Sequence, residues 1–287
     1  MTTPIDISEE SGVRFLHFGT TWIQGAMRIA RPWSLELEYT REMMVSLLLR
    51  EGGSVTAGYP PAVSTPPSCR LDADCLPLVC PSRVLRDAGH WPKKVLLIGL
   101  GAASLTKFLY RHRPLAHLTV VEIEPDVVVA AQLYFKLPED QKRINLVIAD
   151  GVEYVRNCNR NFDLILVDGF DENARPGALD TLPFYQMCRA RLSDDGVMAV
   201  NLLGRSRGFR GSLSRICAAF EDRALVFPSC ESGNAIALAA TGNPLEISLD
   251  DLKENALALK EETGLNLLPT LTRLEQAKTC LNNRLVL

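Results

Sequence analysis

The sequence has no strong excess of charge and no long hydrophobic run. Its 31 basic and 34 acidic residues leave a formal net charge of −3, which argues against the basic surface of nucleic-acid-binding proteins. No uninterrupted apolar run reaches the roughly 18 residues of a membrane-spanning helix. The N-terminus lacks both the basic start and the apolar core of a signal peptide. We therefore expect a cytoplasmic protein without nucleic-acid or membrane partners.

Metal-ligand spacings are also lacking. Of the eight cysteines, Cys69, Cys75 and Cys80 are grouped in a proline-rich stretch, but their gaps match no common zinc motif. The four histidines show no ligand spacing either. We expect reduced thiols and no bound metal, and the role of the cysteine-containing stretch stays open.

The chain divides into four regions by composition and pattern. With 47% hydrophobic residues among 287, it can bury a large core. Residues 1–51 contain two alternating segments, 13–18 and 22–29, which predict a small antiparallel β segment, and a helix follows over 36–49. The remaining regions are a Pro/Gly-rich loop or insertion over 52–92, an alternating strand and helix domain over 93–241, and a C-terminal helical tail over 242–287.

Strands and helices alternate through the third region. Strands are predicted at 95–98, 118–122, 144–149, 164–167 and 197–201, and helices at 104–112, 125–134, 152–157, 183–191 and 213–220. Two further strands, 224–227 and 234–240, are joined too closely for a helical crossover and should pair antiparallel. This pattern predicts an α/β fold with a doubly wound, mostly parallel seven-stranded sheet, and it resembles the class I AdoMet-dependent transferases.

A glycine turn links the first strand of this sheet to the first helix. Gly99 and Gly101 allow backbone to approach a ligand closely, and Ser104 is placed to cap the helix. Glu122 ends the neighbouring strand, within reach of a ribose. We expect a nucleoside-bearing cofactor. The predicted cofactor residues are Gly99, Gly101, Ser104, Glu122, Ile123, Asp150, Gly151 and Gln24.

Two further groups of acidic residues follow strand ends. Asp150 is able to accept a hydrogen bond from an adenine amino group, but an Asp-Gly pair also suits a turn and a helix cap, and both interpretations stay open. Asp168 and Asp171 end the fourth strand, where they can hold and deprotonate an amine or cap the next helix. The loop over 172–181 is a predicted lid.

Residues 93–205 resemble the polyamine aminopropyltransferase (spermidine synthase) family. The matching segments are Val95-Leu-Leu-Ile-Gly-Leu-Gly, Val120-Val-Glu-Ile-Glu, Ala149-Asp-Gly, Leu164-Ile-Leu-Val-Asp-Gly-Phe-Asp, Phe184-Tyr-Gln and Leu192-Ser-Asp-Asp-Gly-Val. The resemblance implies that Glu122 binds the ribose, Asp150 the adenine, and that Asp168 is the general base. It also implies that Asp171 positions the polyamine, that Tyr39 lines the catalytic site, that Gln24 lies near the cofactor, and that the protein is a homodimer.

The chain departs from the family at two places in these motifs. Ala102 stands where the family carries an Asp that grips the aminopropyl ammonium, and Asp168-Gly-Phe-Asp-Glu lacks the family's final Pro. Three hypotheses follow. The first is aminopropyl transfer from decarboxylated AdoMet to a polyamine acceptor. The second is methyl transfer from AdoMet to an unknown acceptor, and the third is a non-catalytic nucleoside-binding homologue.

Overall fold

The computed structural model describes residues 4–50, 91–171, 175–230, 232–277, 279–280 and 282–287. Residues 51–90, which contain Cys69, Cys75 and Cys80, lie outside the described residues. The first part of the predicted lid, 172–174, lies outside them as well.

The N-terminal region forms a three-stranded antiparallel sheet in the order β1-β2-β3. Its strands are β1 (Asp6–Glu10), β2 (Val13–His17) and β3 (Gly25–Arg28). The prediction missed β1, because its mostly acidic and exposed sequence lacks the alternation of a half-buried strand. It also started the last strand three residues early. The helix predicted over 36–49 is α1 (Glu38–Met43), continued by a 3-10 turn over Met44–Leu49.

The predicted seven-stranded sheet is confirmed, in the order β6-β5-β4-β7-β8-β10-β9. Its strands are β4 (Lys94–Ile98), β5 (His117–Glu122), β6 (Ile144–Ile148), β7 (Phe162–Val167), β8 (Leu192–Leu203), β9 (Ala224–Val226) and β10 (Asn234–Ala240). The first five strands pair in parallel, and β10 is antiparallel to both β8 and β9. The short connection between the last two strands had indicated this hairpin.

Five helices connect these strands; four lie within one residue of the predicted bounds, and the last begins four residues earlier than predicted. They are α2 (Ser104–His112), α3 (Pro125–Tyr134), α4 (Gly151–Asn157), α5 (Leu182–Arg191) and α6 (Phe209–Ala219). Both faces of the sheet are buried. Successive side chains of a strand point to opposite faces, so alternate residues should belong to different buried clusters. In β4, Val95 and Leu97 belong to one buried cluster, whereas Leu96 and Ile98 belong to the other.

The C-terminal tail adds a two-stranded sheet of β11 (Glu246–Ser248) and β12 (Arg284–Val286) and two helices, α7 (Leu249–Thr263) and α8 (Leu268–Gln276). The Ser248 side chain accepts a hydrogen bond of 3.0 Å from the Asp251 N–H and so caps α7. Helix α7 ends at Gly264, which has the left-handed φ of +77° that suits this position. Among the described helices, none has the length and apolar character needed to cross a membrane.

Candidate active site

The glycine turn brings the ends of three strands together. The Gly99 N–H donates to the Val121 carbonyl at 2.9 Å, and the Asp168 N–H donates to the Ile98 carbonyl at 2.8 Å. Gly99 has a φ of +96°, and a Cβ at this position would lie 2.2 Å from the Asp168 carbonyl oxygen. Glycine is therefore required at position 99, because it lets the loop pass against the backbone that carries Asp168.

The prediction that Ser104 caps α2 is wrong. The capping position is held by Ala103, in the left-handed region at φ +56°, and no side chain caps the helix. Ser104 is the first helical residue instead, and its hydroxyl donates to the Ala26 carbonyl at 3.1 Å. This bond ties α2 to β3. Ser104 is also absent from the described lining of the cavity beside the loop, so its predicted cofactor role gains no support.

A cavity of about 260 Å³, which we call the glycine-loop cavity, lies at the carboxyl ends of the parallel strands. This is where open α/β sheets bind their ligands. Its lining includes the following predicted site residues: Gln24, Gly99, Gly101, Glu122, Ile123, Asp150, Gly151, Asp168 and Asp171. These residues come together although nearly 150 positions separate the first from the last.

Glu122 is held in place by backbone of the same loop. Its side chain accepts hydrogen bonds from the N–H groups of Leu100 at 2.9 Å and of Glu124 at 3.0 Å. The residue is only 8% exposed, and burial raises the pKa of its carboxyl group, while the backbone donors oppose that rise. The carboxylate is therefore oriented at the cavity wall.

Asp150 caps a helix and also lines the cavity, and its predicted contact with adenine stays a prediction. Its side chain accepts a hydrogen bond of 3.0 Å from the Glu153 N–H and so caps α4. The same residue lines the glycine-loop cavity. A carboxylate has further lone pairs beyond the one used by the cap, so capping does not prevent ligand binding.

Asp168 receives a hydrogen bond on each carboxylate oxygen. The Tyr39 hydroxyl donates to Oδ2 at 3.1 Å, and the Asn201 amide nitrogen donates to Oδ1 at 2.8 Å. Burial is the largest influence and raises the pKa of Asp168, the two hydrogen bonds lower it, and the nearby charge of Glu122 raises it. The pKa of Tyr39 is well above its usual value of 10, chiefly through burial and then through the Asp168 charge. Tyr39 therefore stays protonated and remains a donor.

A second cavity of about 370 Å³, which we call the Tyr39 cavity, adjoins the first. Three residues line both cavities: Gln24, Asp168 and Phe170. The rest of its lining is Thr21, Trp22, Ile23, Tyr39, Asn201, Leu203, Ser232 and Asn234. The sequence analysis missed the two asparagines and Ser232. The available signal was Asn201, an amide within the otherwise apolar end of β8.

Asp171 takes part in the turn that follows β7. Its side chain accepts a hydrogen bond of 2.8 Å from the Arg175 N–H, and its own N–H donates to the Arg175 carbonyl at 2.9 Å. It is exposed, and it lines the glycine-loop cavity but is not part of the described lining of the Tyr39 cavity. Its predicted role in positioning a polyamine stays a prediction.

Metal chemistry was not expected from the sequence. Within the ranges that the structure describes, no group of three or more His, Cys, Asp or Glu side chains is arranged to hold a metal ion. The described cysteines, which are Cys158, Cys188, Cys217, Cys230 and Cys280, form no disulfide among themselves.

Comparison with known proteins gives a consistent result. The profile of the spermine/spermidine synthase domain matches residues 85–202. A polyamine aminopropyltransferase of Neisseria meningitidis is 30% identical over 262 residues, which cover 91% of this chain and 85% of that protein. The likeness therefore extends beyond the central sheet to most of both chains.

Solved structures share the fold. A probable spermidine synthase from Corynebacterium glutamicum superposes with a TM-score of 0.63 at 16% identity and covers 91% of each chain. Human methyltransferase-like protein 13, in complex with SAH, has a TM-score of 0.55 at 25% identity, covering 60% of this chain and 82% of that one. The shared architecture is that of the AdoMet-dependent transferases.

Proposed function

The chain belongs to the polyamine aminopropyltransferase (spermine/spermidine synthase) family, and we propose that it transfers an aminopropyl group from decarboxylated AdoMet to a polyamine, with Asp168 as general base. One observation carries the assignment of the base. Among the described carboxylates, Asp168 alone lines both the glycine-loop cavity and the Tyr39 cavity. A base that deprotonates one substrate as it attacks another must lie where the two substrates meet.

The glycine-loop cavity has the features that a nucleoside donor requires. Gly99 and Gly101 line the cavity without side chains, so a ligand can approach the loop backbone closely. Glu122 and Asp150, at the ends of β5 and β6, supply acceptors for ribose hydroxyls and for an adenine amino group. Leu179 adds apolar surface for the adenine ring. Decarboxylated AdoMet is the aminopropyl donor of this family, and these groups support its binding here.

The Tyr39 cavity suits an amine acceptor. A protonated amine there meets the Asp168 carboxylate, and the exposed Trp22 ring offers an aromatic face to a cation. Asp168 accepts a proton from the ammonium group, which frees the nitrogen lone pair. That nitrogen attacks the aminopropyl carbon bonded to the sulfonium. The new C–N bond forms as the C–S bond breaks, and both electrons of the broken bond go to sulfur, so that methylthioadenosine leaves.

The test is a product assay with two donors. The purified protein is incubated with putrescine and either decarboxylated AdoMet or AdoMet, and products are identified by mass spectrometry. We expect spermidine and methylthioadenosine with decarboxylated AdoMet only. Asp168→Asn should lower kcat by roughly 10²- to 10⁴-fold, the usual contribution of a general base. A methylated product with AdoMet would favour the methyltransferase hypothesis, and no turnover with either donor would favour the non-catalytic one.

A further inference from the structure

Asp168 lies at the end of a chain of hydrogen bonds whose next members, Asn201, Asn234 and Ser232, also line the Tyr39 cavity. The Asn201 amide nitrogen donates to Asp168 Oδ1 at 2.8 Å, and the Asn234 amide nitrogen donates to Asn201 Oδ1 at 2.9 Å. The Ser232 hydroxyl donates to Asn234 Oδ1 at 2.8 Å. The Cys230 sulfur lies 2.9 Å from the Ser232 hydroxyl oxygen.

The ionised carboxylate determines the direction of this chain. Because it can only accept, the Asn201 amide nitrogen must face it, and the Asn201 oxygen must then face Asn234. The Asn234 nitrogen donates to that oxygen, which leaves the Asn234 oxygen to accept from Ser232. The Ser232 hydrogen is thereby used, so the Cys230 thiol is the donor in the last contact. All four donors point toward Asp168.

Strand pairing holds the two asparagines together. Asn201 lies opposite Ile236 in the β8–β10 ladder, and Asn234 lies opposite Leu203, so the two amides are diagonal neighbours. Asn201 is only 4% exposed within an apolar strand. A buried amide is costly unless its nitrogen and its oxygen both form hydrogen bonds. In Asn201 the nitrogen bonds to Asp168 and the oxygen bonds to Asn234. Its orientation is therefore determined by Asp168 on one side and Asn234 on the other.

We propose that Asn201 is a positioning residue for the general base, and that Asn234 orients its amide so that a hydrogen-bond donor always faces Asp168 and favours the ionised carboxylate. This inference rests on the proposed function, in which Asp168 must be ionised to accept a proton. Asn201 acts through Asp168. Its own contact with a substrate is not required.

Other groups act on the same carboxylate. Tyr39 from α1 donates to it, and Glu122 from β5 opposes its ionisation as a like charge. Asp171 and Arg175 of the following turn line the same cavity. Burial favours the neutral acid, so the two hydrogen bonds are what keep the pKa of Asp168 from rising further. Without the Asn201 donor, a larger fraction of Asp168 is protonated at a given pH.

The test measures the ionisation of Asp168 directly. The protein is labelled with ¹³C in the aspartate carboxyl groups, and the Asp168 signal is assigned by its loss in Asp168→Asn. Asn201→Leu removes the donor at nearly constant volume and should raise the pKa of Asp168 by about one to two units. Asn145→Leu, the same change at an exposed position of β6, is the matched control and should leave that pKa unchanged. An unchanged pKa in folded Asn201→Leu would overturn the proposal.

Asn234→Leu provides a second test if Asn201→Leu does not fold. It removes the orienting donor at a half-buried position, and we expect a smaller rise of about half a unit to one unit in the pKa of Asp168. No rise there would equally contradict the proposal. The acidic limb of the pH profile of kcat/KM should shift to higher pH by the same amount as the pKa of Asp168. If the wild-type protein makes no aminopropyl product, the proposed function fails, whereas the titration still decides the role of Asn201.

Discussion

Gly25 lies directly against Ala102. A Cβ added at Gly25 would lie 2.6 Å from the Ala102 Cβ and 2.7 Å from its amide nitrogen. Ala102 is 2% exposed and is not part of the described lining of either cavity. Ala102, where the family resemblance led us to expect an Asp, is thus a small residue that packs against β3, and the N-terminal sheet lies directly on the glycine turn.

Restoring the acidic residue at position 102 should therefore destabilise the protein. Ala102→Asp inserts extra atoms and an unpaired carboxylate into a closed contact, at a cost of about 2–4 kcal/mol. We expect Tm to fall by roughly 3–7 °C in a thermal melt, with no tighter binding of decarboxylated AdoMet. Ala190→Asp, at an exposed site on α5, is the control. A variant as stable as the wild type, with improved donor binding, would show that an acidic side chain fits at position 102 and contacts the donor.

The ribose assignment of Glu122 can be tested by binding alone. Glu122→Gln keeps the shape of the side chain but removes the charge, and its amide nitrogen cannot accept a hydrogen bond. We expect methylthioadenosine to bind roughly 10- to 100-fold more weakly in calorimetry, the usual effect of losing a charged hydrogen-bond acceptor. The control is Glu124→Gln, which changes a nearby acid that is not among the described cavity residues. Equal affinity in the two variants would refute the assignment.

The central sheet was predictable because its strands are buried on both faces and so consist of continuous apolar runs. The gathering of Gly99, Glu122, Asp150 and Asp168 was predictable as well, because parallel strands place their carboxyl ends at one edge of the sheet. The cap of α2 was not predictable, because the capping position is held by Ala103 in the left-handed conformation rather than by Ser104.

Contacts between distant elements escaped the sequence analysis. The Tyr39–Asp168 hydrogen bond joins residues 129 positions apart and depends on how α1 packs against the sheet. The Asn201–Asn234 contact depends on the register of β8 against β10, which no local pattern specifies. The sequence therefore indicated the cavity and its charges, whereas the hydrogen-bond partners of Asp168 required the fold.

Tyr39 should influence the pH dependence of the reaction through Asp168. Tyr39→Phe removes a donor that lowers the pKa of that carboxyl group, so this pKa rises. We expect the acidic limb of the pH profile of kcat/KM to shift by about one unit toward higher pH, with activity recovering above that range. Tyr110→Phe breaks a similar bond to Asp140, remote from the site, and is the matched control. Superimposable profiles for the two variants would argue against a role for Tyr39.

A buried ion pair joins the C-terminal tail to the helix that carries Tyr39. Arg273 of α8 bonds to Glu38 and to Glu42 of α1. Glu42 is fully buried, and among the described atoms its Oε2 has no hydrogen-bond partner. Burial raises the pKa of Glu42 to about 7, although the Arg273 charge opposes the rise. The protonated form of Glu42 is therefore favoured by folding.

The burial of Glu42 should make the free energy of unfolding fall as the pH rises. The folded pKa of Glu42 exceeds the unfolded one, so its contribution is complete below about pH 4.5 and is lost as the pH rises through 7, a change of about 3 kcal/mol. Glu42→Gln carries no titrating group, so its unfolding free energy, from urea titrations at pH 4.5, 6.0 and 7.5, should decline less than that of the wild type. Glu246→Gln, which changes an exposed ion pair with Arg284, should follow the wild type. Parallel curves for all three proteins would mean that the pKa of Glu42 is the same in the folded and unfolded states and that Arg273 fully compensates its burial.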